Sequence, residues 1–202
     1  MARLMAWSLP FILICGCQRQ PTATARSTFS NRLGMTFVTL SPGWSASVYE
    51  TRQREFVSIM GYNPSRDRAP DLPVHSLTAA MAEEFCARLT KSEHATKAID
   101  LSLCYALPLP DQWITCARSS SLEGAIVTAN HPVPFTKPLP AGSGEVNHLG
   151  LWDLRGNVEE YTREIGPYGR IVMGASWNTR QRDRLLVENR NFAQIDYRCF
   201  TV

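Results

Sequence analysis

Apolar residues recur at helical spacing most clearly between residues 78 and 89. Large apolar or weakly polar side chains fall on one helical face, and charged side chains fall on the other. The first set is Met81, Phe85, Cys86 and Leu89, and the second is Glu83, Glu84 and Arg88. Thr78 precedes the run and is a favourable N-cap. The pattern predicts an amphipathic helix that begins after Thr78.

Two shorter helices are predicted on either side of this one. Gln53 to Met60 carries apolar residues at helical spacing and is followed by Gly61, which suits a glycine C-cap. Pro110 fixes the first turn of the other helix, in which Trp113, Ile114 and Ala117 face inward.

Strand and loop patterns complete the expected architecture. Met35 to Leu40 alternates β-branched or aromatic residues with others, and Ser41-Pro42-Gly43 ends it, so a strand is predicted there. Residues 91–100 are polar and predict a solvated connection, and residues 119–148 contain four prolines and three glycines. These patterns indicate a few short helices, at least one strand and long loops.

Residues 150–161 combine apolar positions with two carboxylates and a glycine turn. Asp153 and Glu160 stand on either side of Gly156-Asn157, with leucine and valine side chains between them. A glycine bend with oxygen donors at both ends is a common way to enclose a hard cation. The alternative is an ordinary loop that continues into a buried segment.

The N-terminus has the pattern of an export signal. Arg3 is followed by an apolar run, residues 9–14, that is too short to span a bilayer. The sequence Ile14-Cys15-Gly16-Cys17 resembles a bacterial lipobox. We therefore predict a lipoprotein signal peptide over residues 1–16 and lipid attachment at Cys17, the alternative being a plain secretory signal.

The remaining chain divides into a tether and one domain. Residues 17–30 are polar and predict a flexible tether, and residues 31–202 suffice for a single core. Gln18 is not the aspartate that favours retention in the inner membrane, so the expected location is the bacterial cell envelope, with the lipid anchor in the outer membrane. A net charge of +3, from 21 basic and 18 acidic residues, gives no support for nucleic-acid binding.

Four cysteines lie beyond Cys17, and they are Cys86, Cys104, Cys116 and Cys199. An even number in an exported chain predicts two disulfides, with three possible pairings.

Five stretches, in order along the chain, resemble the formylglycine-generating enzyme family, also called the sulfatase-modifying factor family. Gly-Leu-Trp-Asp-Leu-Arg-Gly-Asn-Val-Glu-Glu, residues 150–160, is similar to the family signature GLYDMxGNVWEW. The other matching stretches are residues 33–40, residues 60–65 with 70–74, residues 105–113 and residues 174–178. The resemblance implies an α+β, C-type-lectin-like fold over most of the chain beyond the tether. Such a fold is irregular and loop-rich, with few short helices and twisted antiparallel strands.

The resemblance also implies particular site residues. It places Ca2+ on Asp153, Glu160 and the backbone carbonyls of Gly156 and Val158, a donor set of oxygens alone. It pairs Cys86 with Cys199, which leaves Cys104 with Cys116. The family's additional hairpin strand has no evident counterpart, because residues 42–48 run almost directly into Tyr49.

The same comparison argues against copper chemistry. Family oxidases bind Cu(I) through two cysteines that follow a GGSW turn, and Cu(I) requires soft thiolates. Residues 174–177, Gly-Ala-Ser-Trp, are the counterpart of that turn in this chain. The corresponding positions here hold Thr179 and Arg184, and no cysteine lies from Ala117 to Arg198. No copper is therefore expected. The four histidines show no paired spacing for the family's iron-dependent branch.

A binding role is the leading expectation. Residues after the GGSW turn form the variable surface of related folds, and arginine and aromatic residues dominate binding hot spots. The candidate surface consists of Arg180, Arg182, Arg184, Phe192 and Tyr197. Its expected partner is an envelope protein or a surface ligand. The alternatives are a solvated edge without a ligand, a degenerate structural copy, or an enzyme of the same fold with altered metal-dependent oxidative chemistry.

Overall fold

The computed structural model describes residues 26–41 and 43–193. Within these residues, three α-helices and two three-stranded antiparallel sheets are joined by long loops. The predicted α+β, loop-rich class is confirmed.

The first sheet contains β1 (Thr28–Ser30), β2 (Thr36–Ser41) and β3 (Trp44–Ser47), in that order. Two of its strands differ from the sequence expectation. β1 lies inside the stretch assigned to the tether, and β3 lies where the chain was expected to run directly into Tyr49. Phe29 stacks on Phe37 across β1 and β2, with ring centroids 5.3 Å apart. A strand of three residues is too short to show an alternation of apolar and polar positions in the sequence. Its pairing with β2, marked by this cross-strand aromatic contact, distinguishes β1 from a tether.

Helix α1 (Gln53–Met60) agrees with its prediction. Gly61 adopts a left-handed conformation with φ of 80°, and its N–H donates to the Val57 carbonyl over 2.8 Å. Phe56 and Met60 are buried, so the predicted face packs into the core.

Helix α2 (Ala79–Ala95) begins as predicted and ends later. The Met81 N–H donates to Thr78 Oγ1 over 3.3 Å, and Phe85 is buried. Residues 91–95, expected to be a solvated connection, continue the helix. Glu93 explains the difference, because it is buried and its carboxylate accepts the Arg32 N–H over 3.4 Å. This contact is not visible in local polarity.

Helix α3 (Pro110–Ala117) packs against the second sheet, which consists of β4 (Glu160–Gly166), β5 (Gly169–Met173) and β6 (Asn191–Ala193). Trp113 and Ala117 are buried with Ile171 and Met173, as the inward-facing prediction required. Two short 3-10 helices, Thr128–Asn130 and Arg182–Leu185, lie in the loops.

The largest core cluster joins both sheets to α1 and α2. It includes Phe37 of β2, Phe56 of α1, Phe85 of α2 and Tyr161 of β4. The Tyr161 hydroxyl donates to the Leu77 carbonyl over 3.3 Å. This packing fixes the start of β4, where the candidate site residues converge.

Candidate functional site

Residues 150–161 form the link between the loops and the second sheet. Leu151, Val158 and Tyr161 are buried, and the Trp152 N–H donates to the Val48 carbonyl over 3.0 Å. The segment is therefore a framework element that also carries the predicted cation ligands.

The Gly156-Asn157 turn brings distant backbone segments together. A Cβ atom on Gly156 would lie 2.7 Å from both the nitrogen and the oxygen of Ile126, so only glycine fits there. Asn157 has φ of 67°, and its N–H donates to the Ile126 carbonyl over 2.9 Å. Its own carbonyl accepts the Trp177 N–H over 2.8 Å. The turn thus fixes the base of the segment that follows Trp177.

The Asn157 side chain is completely buried, and both its amide oxygen and its amide nitrogen form hydrogen bonds. Its Oδ1 accepts the Leu139 N–H over 2.9 Å, and its Nδ2 donates to the Leu139 carbonyl over 3.1 Å. The same amide donates to Glu50 Oε2 over 2.7 Å. Glu50 Oε1 accepts the Val158 N–H over 3.2 Å. Glu50 is thereby a buried site residue that sequence reasoning missed, since nothing in the residues around it marks it.

The two predicted carboxylate ligands each accept protein hydrogen bonds. Asp153 Oδ2 accepts the Gly142 N–H over 2.5 Å, and Oδ1 accepts the Gly144 N–H over 2.8 Å. Glu160 Oε2 accepts the Trp113 indole N–H over 2.7 Å. The two carboxyls are near enough for the charge of Asp153 to raise the pKa of Glu160.

Glu50, Asp153 and Glu160 form one group of enclosed carboxyls. Burial, followed by the charges of the other two, raises the pKa of Glu50 well above its usual value. Burial also raises the pKa of Asp153, against the opposing effect of its backbone hydrogen bonds. For Glu160, burial and then Asp153 bring the pKa to about 7, although the Trp113 hydrogen bond opposes this shift. Among the described residues, the groups that shift the pKa values of these three carboxyls are other carboxyls and neutral hydrogen-bond donors, and no lysine, arginine or histidine is among them.

This chemistry fits the predicted Ca2+ donor set. An ionised carboxylate offers about four lone-pair sites, so Asp153 and Glu160 retain acceptor capacity after accepting their N–H donors. Gly156 and Val158 lie between them on the same segment, and the prediction assigns the other two ligands to their backbone carbonyls. Among the described residues, no three His, Cys, Asp or Glu side chains form a group that could hold a metal. The predicted calcium site needs only two side chains, because its other two ligands are backbone carbonyls.

Thr179 and Arg184 are the positions that the resemblance aligns with the copper ligands of the oxidases. Thr179 closes the turn after Ser176, since its N–H donates to the Ser176 carbonyl over 2.9 Å and its Oγ1 accepts the Ser176 N–H over 3.2 Å. Arg184 is exposed on the second 3-10 helix.

We name residues 180–184 the arginine segment. Arg180, Arg182 and Arg184 are all exposed. Arg182 forms an ion pair with the exposed Glu123 at 3.1 Å, and Arg184 Nε donates to Gln181 Oε1 over 3.1 Å. The structure therefore groups three of the five predicted surface residues on one exposed stretch.

The other two predicted surface residues lie elsewhere in the chain. Phe192 is exposed on β6 and makes an edge contact with Tyr168, with ring centroids 5.5 Å apart. Tyr197 falls outside the described residues. Neither is shown to share a surface with the arginine segment.

Arg155 is a second site residue that sequence reasoning missed. Its guanidinium is buried, with Nη1 donating to the Leu185 carbonyl over 2.7 Å and Nη2 to the Arg118 carbonyl over 3.4 Å. Burial lowers the pKa of Arg155, and the Glu188 carboxylate opposes this shift. The available signal was a cation directly after Leu154, in a segment whose apolar residues are buried.

Three of the cysteines lie within the described residues. Cys86, Cys104 and Cys116 are free thiols in the structure, so the expected Cys104–Cys116 bridge is not formed. Cys199 and the lipidation candidate Cys17 lie outside the described residues. Among the residues described, no helix combines the length and apolarity needed to cross a membrane.

Comparison with known proteins identifies the fold. No protein-family model and no curated protein sequence matches the chain. Among solved structures, PvdO from Pseudomonas aeruginosa matches with a TM-score of 0.62 and 15% identity, over 83% of this chain and 78% of that chain. CarF matches with a TM-score of 0.58 and 16% identity, over 86% and 92%. The chain has a formylglycine-generating-enzyme-like fold.

This formylglycine-generating-enzyme-like fold also matches Treponema denticola variable protein 1. The TM-score is 0.67 at 16% identity, over 87% of this chain and 95% of that chain. At such identities the likeness concerns the fold alone. The fold class expected from the sequence is therefore supported by these structures.

Proposed function

We propose that this protein is a non-catalytic member of the sulfatase-modifying factor family that binds a partner in the bacterial cell envelope through the arginine segment. The observation that carries the proposal is the exposure of Arg180, Arg182 and Arg184 on one stretch with a buried, hydrogen-bonded base. The partner is an envelope protein with an acidic surface.

Several contacts hold the base of the arginine segment in place. The Ala129 N–H donates to the Thr179 carbonyl over 3.0 Å, and the Thr128 N–H donates to the Trp177 carbonyl over 2.9 Å. Arg155 holds the far end through the Leu185 carbonyl. A segment fixed at both ends loses less conformational entropy on binding than a free loop does. This arrangement supports a recognition surface rather than a disordered edge.

The chemistry of the side chains supports an acidic partner. Guanidinium groups bind carboxylates in a planar, bidentate manner and are weakly hydrated compared with ammonium groups. Arg182 already pairs with a carboxylate, that of Glu123, although both side chains remain largely exposed. Exchange of such an exposed pair for a partner carboxylate costs little, because surface ion pairs contribute about 0–1 kcal/mol.

Thr179 and Arg184 support the non-catalytic part of the proposal. Neither side chain offers a thiolate, and the Thr179 hydroxyl is engaged with Ser176.

The proposal includes the envelope location predicted from the N-terminus. Lipid on Cys17 anchors the protein, with the outer membrane as the favoured site. It also includes Ca2+ held by Asp153, Glu160 and the carbonyls of Gly156 and Val158. Ca2+ held there would supply positive charge to the buried carboxyls of Glu50, Asp153 and Glu160, beside the start of β4.

The test is affinity capture of the lipidated protein from detergent-solubilised envelopes, read by mass spectrometry. Wild type is compared with a triple variant, Arg180→Ala, Arg182→Ala and Arg184→Ala. A matched control replaces three other exposed arginines, Arg66→Ala, Arg68→Ala and Arg88→Ala, and thus has the same net charge. We expect one partner with wild type and control, and at least a roughly tenfold loss with the triple variant.

The captured partner is then purified and its affinity is measured directly at low and high salt. Weaker binding at high salt is expected for exposed arginine–carboxylate contacts. Equal recovery by all three proteins, each with an unchanged melting temperature, would contradict the assignment of the binding surface.

A further inference from the structure

A cleft of about 410 Å³ separates α2 from the chain that leads into Pro108. Both Cys86 and Cys104 line it, together with Thr90, Tyr105 and Leu107. Cys86 is half-buried on α2, and Cys104 is exposed in the opposing segment. The two thiols thus face one solvent-accessible space.

Hydrogen bonds through the Thr90 side chain hold the segment of Cys104 against the part of α2 that carries Cys86. The Tyr105 N–H donates to Thr90 Oγ1 over 2.9 Å, and Thr90 Oγ1 donates to the Cys86 carbonyl over 2.8 Å. Cys86 and Thr90 are four residues apart and therefore share a helical face. Since Cys104 directly precedes Tyr105, its backbone lies against the helical turn that begins at Cys86.

The electrostatic coupling of the thiols agrees with this placement. Burial, followed by Glu83 and then Cys104, raises the pKa of the Cys86 thiol to about 12. Cys104 is thus close enough to act on Cys86.

Cys116 lies in different surroundings. It is buried on α3 in a cluster with Val38, Leu149 and Leu151. Burial and then the Glu160 carboxylate raise the pKa of its thiol to about 12. Its surroundings include neither of the other two described cysteines.

We propose that Cys86 and Cys104 are an oxidisable pair that forms an intramolecular disulfide across this cleft. The pairing replaces both pairings implied by the family resemblance. Under this pairing Cys116 remains a buried free thiol. The disulfide joins α2 to residues 101–104, which hydrogen bonds already hold together.

The reaction requires a disulfide oxidant, such as a thiol–disulfide oxidoreductase or glutathione disulfide. The exposed Cys104 loses its proton, and its thiolate attacks one sulfur of the oxidant, releasing one thiolate, which takes up a proton. Cys86 then loses its proton and attacks the Cys104 sulfur in the mixed disulfide, releasing the second thiol. One protein disulfide forms, two protein thiols are oxidised, and the oxidant disulfide is reduced to two thiols.

The bond would fasten the exposed residues 101–104 to α2. Leu101 and Leu103 are both largely exposed in this stretch. The His94 ring nitrogen Nε2 already lies 2.9 Å from the Leu103 carbonyl. The disulfide adds a covalent link to this hydrogen-bonded connection.

The experiment maps cysteine linkages in the full chain after treatment with glutathione disulfide and alkylation of free thiols. Trypsin alone is insufficient, because its peptide 98–118 contains both Cys104 and Cys116. Chymotrypsin cleaves after Tyr105 and separates them, while Cys86 lies in the tryptic peptide 69–88. We expect Cys86 linked to Cys104 and Cys116 recovered in alkylated form only after unfolding.

Single-cysteine variants make the assignment independent of one digest. Cys104→Ser should leave Cys86 as a free or glutathionylated thiol, whereas Cys116→Ser and Cys199→Ser should both retain the Cys86–Cys104 link. A link from Cys86 to Cys199 or from Cys104 to Cys116 in wild type overturns the proposal. Full alkylation of both Cys86 and Cys104 after oxidation overturns it as well.

Discussion

Arg155 donates a hydrogen bond from Nη1 to the carbonyl oxygen of Leu185 over 2.7 Å, although the two residues are 30 positions apart. Leu185 ends the 3-10 helix that carries Arg182 and Arg184. The contact therefore joins the buried framework segment to the arginine segment. Nη2 extends the link to the Arg118 carbonyl, just after α3.

Arg155→Met should loosen the arginine segment. Methionine keeps the length of the side chain but leaves the Leu185 and Arg118 carbonyls without their donor. We expect the free energy of unfolding to fall by about 1–3 kcal/mol, because hydrogen bonds to charged groups contribute about 1.5–3 kcal/mol and relief of buried charge offsets part of the loss. Urea unfolding measures this change.

Limited trypsin digestion provides the local readout for Arg155→Met. Cleavage after Arg180, Arg182 and Arg184 should accelerate relative to cleavage elsewhere in the folded chain. Arg88→Met, at an exposed position on α2, is the matched control and should change neither property. Unchanged cleavage in Arg155→Met would show that Arg155 does not anchor the segment.

Asn157 permits a test that separates backbone conformation from side-chain bonding. Asn157→Gly tolerates φ of 67° but loses the amide contacts to Leu139 and Glu50. Asn157→Ala loses the same contacts and also adds left-handed strain of about 1–2 kcal/mol. Both variants should therefore be destabilised, with alanine the worse by that margin in equilibrium unfolding. Equal losses would mean that the turn relaxes out of the left-handed conformation.

The comparison of sequence with structure separates local signals from distant contacts. The start of α2, the end of α1 at Gly61 and the inward face of α3 depend on neighbours within a few residues, and all were predictable. The continuation of α2 to Ala95 depends on Glu93 meeting Arg32, 61 positions away. Such contacts leave no periodic pattern.

The candidate site shows the same division. The family signature indicated Asp153 and Glu160, but it did not indicate Glu50, which reaches Asn157 across 107 positions. β1 is a similar case, because its Phe29 stacks on Phe37 of the neighbouring strand. A single aromatic residue in a polar stretch does not predict a strand. Residues that complete a site from a distant part of the chain require the fold itself.

The raised pKa of Glu160 predicts a specific pH dependence when divalent cations are chelated. Between the ordinary value of 4.5 and about 7, the folded state keeps a proton that the unfolded state releases. This contribution to stability is therefore fully present below the unfolded pKa and is lost as the pH rises through about 7. Glu160→Gln remains neutral and keeps an oxygen for the Trp113 indole.

Glu160→Gln should thus gain stability relative to wild type as the pH rises, by on the order of 2 kcal/mol between about pH 5 and pH 8. Equilibrium urea unfolding in a chelator across this range measures the difference. Glu145→Gln, at an exposed position in the neighbouring loop, is the control and should run parallel to wild type. Parallel curves for Glu160→Gln would show that Glu160 ionises normally in the folded protein.

Calcium should reverse this pH effect in the wild-type protein. Ca2+ favours ionised carboxylates, so at about pH 8 it should raise the free energy of unfolding by roughly 2.7 kcal/mol at a hundredfold excess over its dissociation constant. Asp153→Asn and Glu160→Gln should lose the response, and Glu145→Gln should keep it. Native mass spectrometry should count one calcium per wild-type chain. The unfolding midpoint could instead be the same in Ca2+ and in chelator. This result would mean that protons and backbone donors neutralise the three carboxyls of Glu50, Asp153 and Glu160. The calcium ligands implied by the sequence would then serve only as framework.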